Sequence, residues 1–190
     1  MKVQCQTDPK YSSMVSNQCS WCAAEFIKNR KELLNYYVHN NECDLTNLYN
    51  KCLLAGSIKR KEYNHRLYGE NIDNTTLLDQ YDFTVISFMT MIINCDVEFL
   101  KLLPDSLKEE FYENKYSMVD NTYFDSHISD GASYLASRHG QSFAIIPFLQ
   151  NYLILDSHIH ETKLLSPKEL TAYLYNKDCG HTHVTLLKIC

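Results

Sequence analysis

The chain has 190 residues, of which 45% are hydrophobic and 22% charged. That length suits one domain with a sizeable core, and a composition of this kind suits an ordinary soluble globule. A net charge of −5 excludes the basic excess of a typical nucleic-acid binder.

The first residues, Met1-Lys2-Val3-Gln4-Cys5-Gln6, contain no apolar core of a signal peptide. The spacing predicts a long helix over 20–38, with Ala23, Phe26, Ile27, Leu33, Leu34, Tyr37 and Val38 on one side. Lys28, Asn29, Lys31, Glu32 and Asn35 fall on the other side, and Ser16 or Asn17 is the expected cap. A second helix is predicted over 44–55, with Leu45, Leu48, Tyr49, Cys52 and Leu53 as its stripe and Gly56 as its stop. Lys59, Arg60, Lys61, His65 and Arg66 form a basic cluster, read as a solvated helix face. Residues 81–93 are an apolar buried element, helix or strand, and the apolar run 85–93 within it is too short, and broken by Ser87 and Thr90, to span a membrane. Helices are expected over 97–103 and 106–116. Ser129-Asp130-Gly131 reads as a turn and helix start.

The C-terminal third changes character. Residues 142–149 and 152–158 are β-rich and are separated by Gln150-Asn151, a hairpin signal. Ser166-Pro167-Lys168-Glu169 is a capping box with proline at the first helical position, so a helix is expected over 167–175. Residues 183–189 form a final strand. Helices first and antiparallel strands last predict an α+β domain, 1–190, with no internal repeat or linker to divide it.

Eight cysteines stand at positions 5, 19, 22, 43, 52, 95, 179 and 190. In a chain long enough to build its own core, and without a leader, reduced thiols are the expectation, most of them packed as small hydrophobes. Cys19 differs from the rest because it stands where the first helix opens. Free N–H groups and the positive end of the helix dipole would favour a thiolate there, and the Cys19 backbone N–H would point toward an oxyanion. Cys22 lies one turn further in and is read as packed.

Tyr152-Leu153-Ile154-Leu155-Asp156-Ser157-His158 reads as a strand carrying Asp and His two residues apart, facing the same way. The Asp156 carboxylate would then orient the His158 imidazole as a base toward a thiol. His160 is the rival base. Asp125-Ser126-His127-Ile128 repeats the Asp-Ser-His-Ile of 156–159 but follows no convincing strand and reads as loop. Gln6, thirteen residues before Cys19, offers a side-chain amide as an oxyanion donor, and Gln4 is its neighbour in type. Trp21 beside the nucleophile would either wall a narrow channel for a Gly-Gly tail or pack in the core.

These residues carry a resemblance. Gln18-Cys19 opening a helix, the Leu155-Asp156-Ser157-His158 strand and Gln6 upstream resemble the ubiquitin-specific protease domain of herpesvirus large tegument proteins and related tegument-type deubiquitinases. Three short motifs carry the resemblance; residues 44–121 match no known element. It implies a papain-like fold and a cysteine isopeptidase that cleaves after the C-terminal glycine of ubiquitin or a ubiquitin-like protein. Cys19 would be nucleophile, His158 base, Asp156 orienter and Gln6 oxyanion donor. No metal or cofactor is expected on this reading. A monomer in the cytosol, acting on ubiquitin conjugates and not on nucleic acid or membrane, is the matching expectation. The wealth of Asn and Tyr fits an AT-rich genome, such as that of a large virus or an intracellular microbe. The alternative is a non-enzymatic, zinc-stabilised interaction domain using Cys19, Cys22, Cys179 and His181.

Overall fold

In a computed structural model, the described residues are 2–4, 19–68, 132–138, 141–174 and 184–189. The side chains of 62–68, 137, 138, 184, 185, 187 and 188 are not described. Among the described residues three helices come first: α1 (Cys19–Lys28), α2 (Arg30–Val38) and α3 (Glu42–Tyr68). Then come strands β1 (Ser133–Arg138), β2 (Gln141–Phe148), β3 (Asn151–Leu155) and β4 (Lys163–Leu165), helix α4 (Pro167–Leu174) and strand β5 (Val184–Ile189). The strands form one antiparallel sheet in the order β4-β3-β2-β1-β5. The α+β expectation, helical part first and antiparallel sheet last, is what the chain adopts. None of the helices among the described residues is long and apolar enough to cross a membrane.

Both sheet faces are covered. Leu135, Ala144, Ile146, Leu153, Leu155 and Ile189 pack with Phe26, Ile27, Leu33, Leu45, Tyr49 and Leu53 of the first three helices. Tyr134, Ala136, Phe143, Ile145, Ile154 and Leu186 pack on the other side with Leu170 and Leu174 of α4. Burial on both faces explains why β2 and β3 read as continuous apolar runs rather than alternating ones. Helix α1 is buried along its length from Cys19 to Ile27 and packs against both α3 and β2. That central place holds its first residue, Cys19, against the sheet.

Several boundaries differ from the sequence expectation. The helix predicted over 20–38 is two helices, broken at Asn29, whose side-chain amide donates to Glu25 O at 2.8 Å. Such a bond competes with the helix's own ladder. The second helix does not stop at Gly56 but continues to Tyr68. Gly56 serves a close approach instead: a Cβ added there would lie 2.7 Å from Cys22 N and 2.9 Å from Trp21 C. The hairpin turns at Leu149-Gln150, one residue early, because Phe148 pairs with Asn151. Leu149 takes a φ of 56° and stands 88% exposed. After Gly131 a strand forms, not a helix; β1 is ordered by pairing on both sides, with β2 and with β5, and such pairing outweighs local propensity. The elements expected over 81–93, 97–103 and 106–116 lie outside the described residues.

Two local signals act as read. Ser166 and Glu169 form the capping box, Ser166 N–H donating to Glu169 Oε2 at 2.8 Å and Glu169 N–H to Ser166 Oγ at 3.4 Å. The Ser166 hydroxyl, donating to Glu169 Oε2 at 2.7 Å, and then the Ser166 N–H hold the exposed Glu169 carboxyl below its ordinary value. The α3 stripe of Leu45, Leu48, Tyr49, Cys52 and Leu53 is buried. The basic cluster is corrected at Arg60, which is fully buried, and at Lys59, which pairs with the buried Glu25 carboxylate of α1. A cluster that looked solvated therefore includes an ion pair between α1 and α3.

Candidate active site

Cys19 opens α1, as its position in the sequence suggests, and is 4% exposed. Gly56 lets α3 reach the backbone of the first turn of α1, so this end of the helix is seated with no side chain between. From the sheet side, the Ser142 N–H donates to Cys19 Sγ at 3.4 Å. Ser20 Oγ donates to Ser142 Oγ at 3.4 Å and ties the same turn to the start of β2.

Burial pushes the Cys19 thiol above its ordinary value of 9.0, and the Asp156 charge adds to that rise. The Ser142 N–H and the hydroxyls of Ser20 and Ser142 act the other way, without reversing it. Burial therefore works against the thiolate that a helix terminus favours. A buried thiol of this kind needs a base if it is to act as a nucleophile.

The base side is built on a turn rather than a strand. Strand β3 ends at Leu155, and Asp156, Ser157 and His158 follow it. The strand alternation expected to align Asp156 and His158 is replaced by a turn centred on the Asp156 carboxylate. Oδ1 accepts the His158 backbone N–H at 2.9 Å and lies 3.1 Å from His158 Nδ1. One oxygen thus fixes both the backbone and the ring of His158, a local closure that Asp favours. The Asp156 carboxylate thus engages the ring at Nδ1 and sets its orientation. The His158 side chain is 22% exposed and that of Asp156 only 5%.

Two tyrosines hold this turn. Tyr49 of α3 donates its hydroxyl to Asp156 O at 3.0 Å, and Ile159 N–H donates to the same oxygen at 3.2 Å. The Tyr173 hydroxyl of α4 lies 3.5 Å from Asp156 Oδ2. Tyr173 is itself placed by an edge contact with Phe143 and by Lys163 Nζ, 5.1 Å from its ring centre. Ala144 pairs with Leu155, so Ser142 lies toward the sheet end at which Asp156–His158 emerges. The thiol, the Ser142 amide and the Asp-His pair therefore gather at one end of β2 and β3.

The remaining expectations divide. Cys22 is packed, with its thiol near Leu53 O at 3.8 Å and pushed well above 9.0 by burial. Trp21 is 1% exposed within the core facing the helices. The channel-wall role is corrected to core packing, since position 21 turns inward on a helix buried along its length. His160 is exposed, and the imidazole bonded to Asp156 is that of His158. Gln6, Gln18, the 125–127 pair, Cys179 and His181 lie outside the described residues. Residues 2–4 do run beside the site loop: Val3 N–H donates to His160 O at 2.9 Å, and Lys2 bridges Glu161. Among the described residues, no group of three His, Cys, Asp or Glu side chains could hold a metal ion. Cys19, Cys22, Cys43 and Cys52 are free thiols.

Sequence reasoning missed Ser142, Tyr49 and Tyr173. Ser142 carried one signal, as the polar residue opening an apolar run. Tyr49 carried another, as the hydroxyl-bearing member of an otherwise apolar stripe. Tyr173 carried none. Comparison with family models, with curated proteins and with solved structures finds no match to this chain. Its chemistry is accordingly read from its own residues.

Proposed function

We propose that this chain is a cysteine isopeptidase of papain-like fold that releases ubiquitin or a ubiquitin-like modifier from conjugates. The observation that supports it is the Asp156–His158 pair, hydrogen-bonded through Nδ1, at the same sheet end as a helix-opening thiol. The substrate class rests on the likeness of Gln18-Cys19 and of Leu155-Asp156-Ser157-His158 to the tegument-type deubiquitinase motifs.

In this mechanism His158 Nε2 takes the Cys19 proton as Sγ attacks the carbonyl carbon of the modifier's C-terminal glycine. The negative charge forming on the carbonyl oxygen is met by the Cys19 backbone N–H and the Gln6 side-chain amide. Asp156 holds the ring and supports the imidazolium. The C–N bond then breaks, His158 gives its proton to the leaving lysine amine, and a thioester remains on Cys19. Water, activated by neutral His158, attacks that thioester. The products are the free modifier carboxylate and the restored thiol.

The test is hydrolysis of ubiquitin, and of ubiquitin-like proteins, carrying a fluorogenic amine on the C-terminal glycine. Turnover by the wild-type chain that is lost in Cys19→Ala supports the reading. Absence of turnover on every such substrate, together with one zinc per chain that Cys19→Ser removes, would instead favour the zinc-stabilised interaction domain.

A further inference from the structure

Two halves of the candidate site rest on one helix. Helix α3 meets the nucleophile helix at Gly56, where its backbone approaches Cys22 and Trp21. Two turns earlier it meets the base, where the Tyr49 hydroxyl donates to Asp156 O at 3.0 Å. Gly56 and Tyr49 are seven residues apart, about two helical turns, so both contacts fall on one face of α3. The side chain of Tyr49 is fully buried, and its ring stacks on Phe26 of α1 with centroids 4.5 Å apart. It therefore touches the nucleophile helix with its ring and the base turn with its hydroxyl.

The contact with Asp156 O is not a general packing contact. That carbonyl closes the turn in which Asp156 Oδ1 fixes the backbone and ring of His158. The strand ladder ends at Leu155, so β3 does not set the position of the turn beyond it. Moving that carbonyl would move the imidazole relative to Sγ, and proton transfer demands hydrogen-bond distance.

We propose that Tyr49 is a positioning residue for the candidate site, its hydroxyl latching the Asp156–His158 turn to the helix that seats Cys19. The proposal rests on the hydrolase reading above and assigns Tyr49 no contact with substrate. The ring supplies packing and the hydroxyl supplies alignment, so the two roles separate by substitution. Tyr49→Phe keeps the ring on Phe26 and removes the latch. Phe26→Leu loosens the stack and keeps the latch.

The experiment measures alkylation of Cys19 by iodoacetamide at pH 7, site-resolved by mass spectrometry, so that no substrate need be known. Wild type, Tyr49→Phe, Phe26→Leu and His158→Ala are compared, each with its melting temperature and far-UV spectrum. The expected result is a rate in Tyr49→Phe at least fivefold below wild type and approaching that of His158→Ala, with the fold retained. Phe26→Leu should melt earlier yet alkylate at the wild-type rate per folded molecule. On a fluorogenic ubiquitin substrate, Tyr49→Phe should lower kcat and leave KM within twofold. Wild-type alkylation in Tyr49→Phe, while His158→Ala is slow, would overturn the latch and leave the hydrolase reading intact. Equal slowing in Phe26→Leu and Tyr49→Phe would also overturn it, by assigning the effect to packing. Wild-type rates in His158→Ala itself would overturn the latch together with the base it positions.

Discussion

The thiol and the imidazole of the candidate site are built in opposite ways. Cys19 is 4% exposed, on a helix whose first turn α3 approaches through Gly56 at Trp21 and Cys22, and beside a strand that offers it the Ser142 N–H. His158 is 22% exposed by side chain and stands on a turn outside the sheet ladder, positioned by hydrogen bonds to a single carboxylate. One partner is held by packing and kept dry; the other is held by polar bonds and reaches solvent. The difference locates the energetic problem. Ionising Cys19 means creating charge in a desolvated place, so the proton must leave to a base already aligned. A partly exposed histidine could exchange such a proton with water.

The largest expected effects break that division of labour directly. Cys19→Ala should abolish hydrolysis of ubiquitin conjugates, while the buried neighbour Cys22→Ala leaves most of it. His158→Ala should lower kcat by about 10²–10⁴-fold, the usual contribution of a general base. Asp156→Asn should fall short of that, since it leaves the imidazole in place but weakens its orientation. Steady-state kinetics on a fluorogenic ubiquitin substrate read all four. Gln6→Ala, in turn, should lower kcat by about 10²–10³-fold with KM little changed if its amide meets the oxyanion.

Gly56→Ala tests the packed side. Glycine to alanine inside a helix ordinarily stabilises by up to about 1 kcal/mol. Here the added methyl would meet backbone at 2.7 Å, which cannot step aside as a side-chain tip would. The expected result is a loss of about 1–3 kcal/mol by chemical denaturation, with reduced activity as the first turn of α1 shifts. A gain in stability would show that the two helices do not meet this closely.

Alkaline pH sharpens the same side. Burial raises the thiols of Cys19 and Cys22 above 9.0, and Cys52 to about 12. A raised pKa means that the folded state keeps a proton the unfolded chain gives up. Stability is thus complete below about pH 9 and is lost as pH climbs toward the folded values, for Cys52 between about 9 and 12. Each such thiol contributes a slope of about 1.4 kcal/mol per pH unit within its window. Denaturant midpoints from pH 8 to 11 should fall, and Cys52→Ala should flatten part of the fall. The smallest effect is on the capping box of α4: Ser166→Ala should cost about 1 kcal/mol without changing kcat.

The site was legible where chemistry is local and illegible where it depends on partners brought from afar. Cys19 at a helix start, the 167–174 helix and the apolar β2 and β3 runs follow from capping, spacing and composition. The Asp156–His158 pairing was legible too, but its cause was not: a turn closed by an Asp carboxylate gives the same side-chain meeting as strand alternation. Gly56 looked like a helix stop because a glycine after an apolar stripe usually is one; its reason is a second helix that local pattern cannot announce. Lys59 looked solvated because its partner sits elsewhere in the chain, Glu25 lying 34 residues away, and the burial of Arg60 likewise comes only with the assembled fold. The thiol's raised pKa was hidden for the same reason, since desolvation is a property of the assembled core.

The most direct test of the account uses ubiquitin whose C-terminal glycine is replaced by a thiol-reactive electrophile, incubated with the wild-type chain and analysed by peptide mass spectrometry. The account predicts one covalent adduct, on Cys19, that Cys19→Ala eliminates, that His158→Ala slows severely and that Cys22→Ala leaves nearly unchanged. No adduct with ubiquitin or any ubiquitin-like probe, or an adduct carried by Cys22 or Cys43 in place of Cys19, would contradict it.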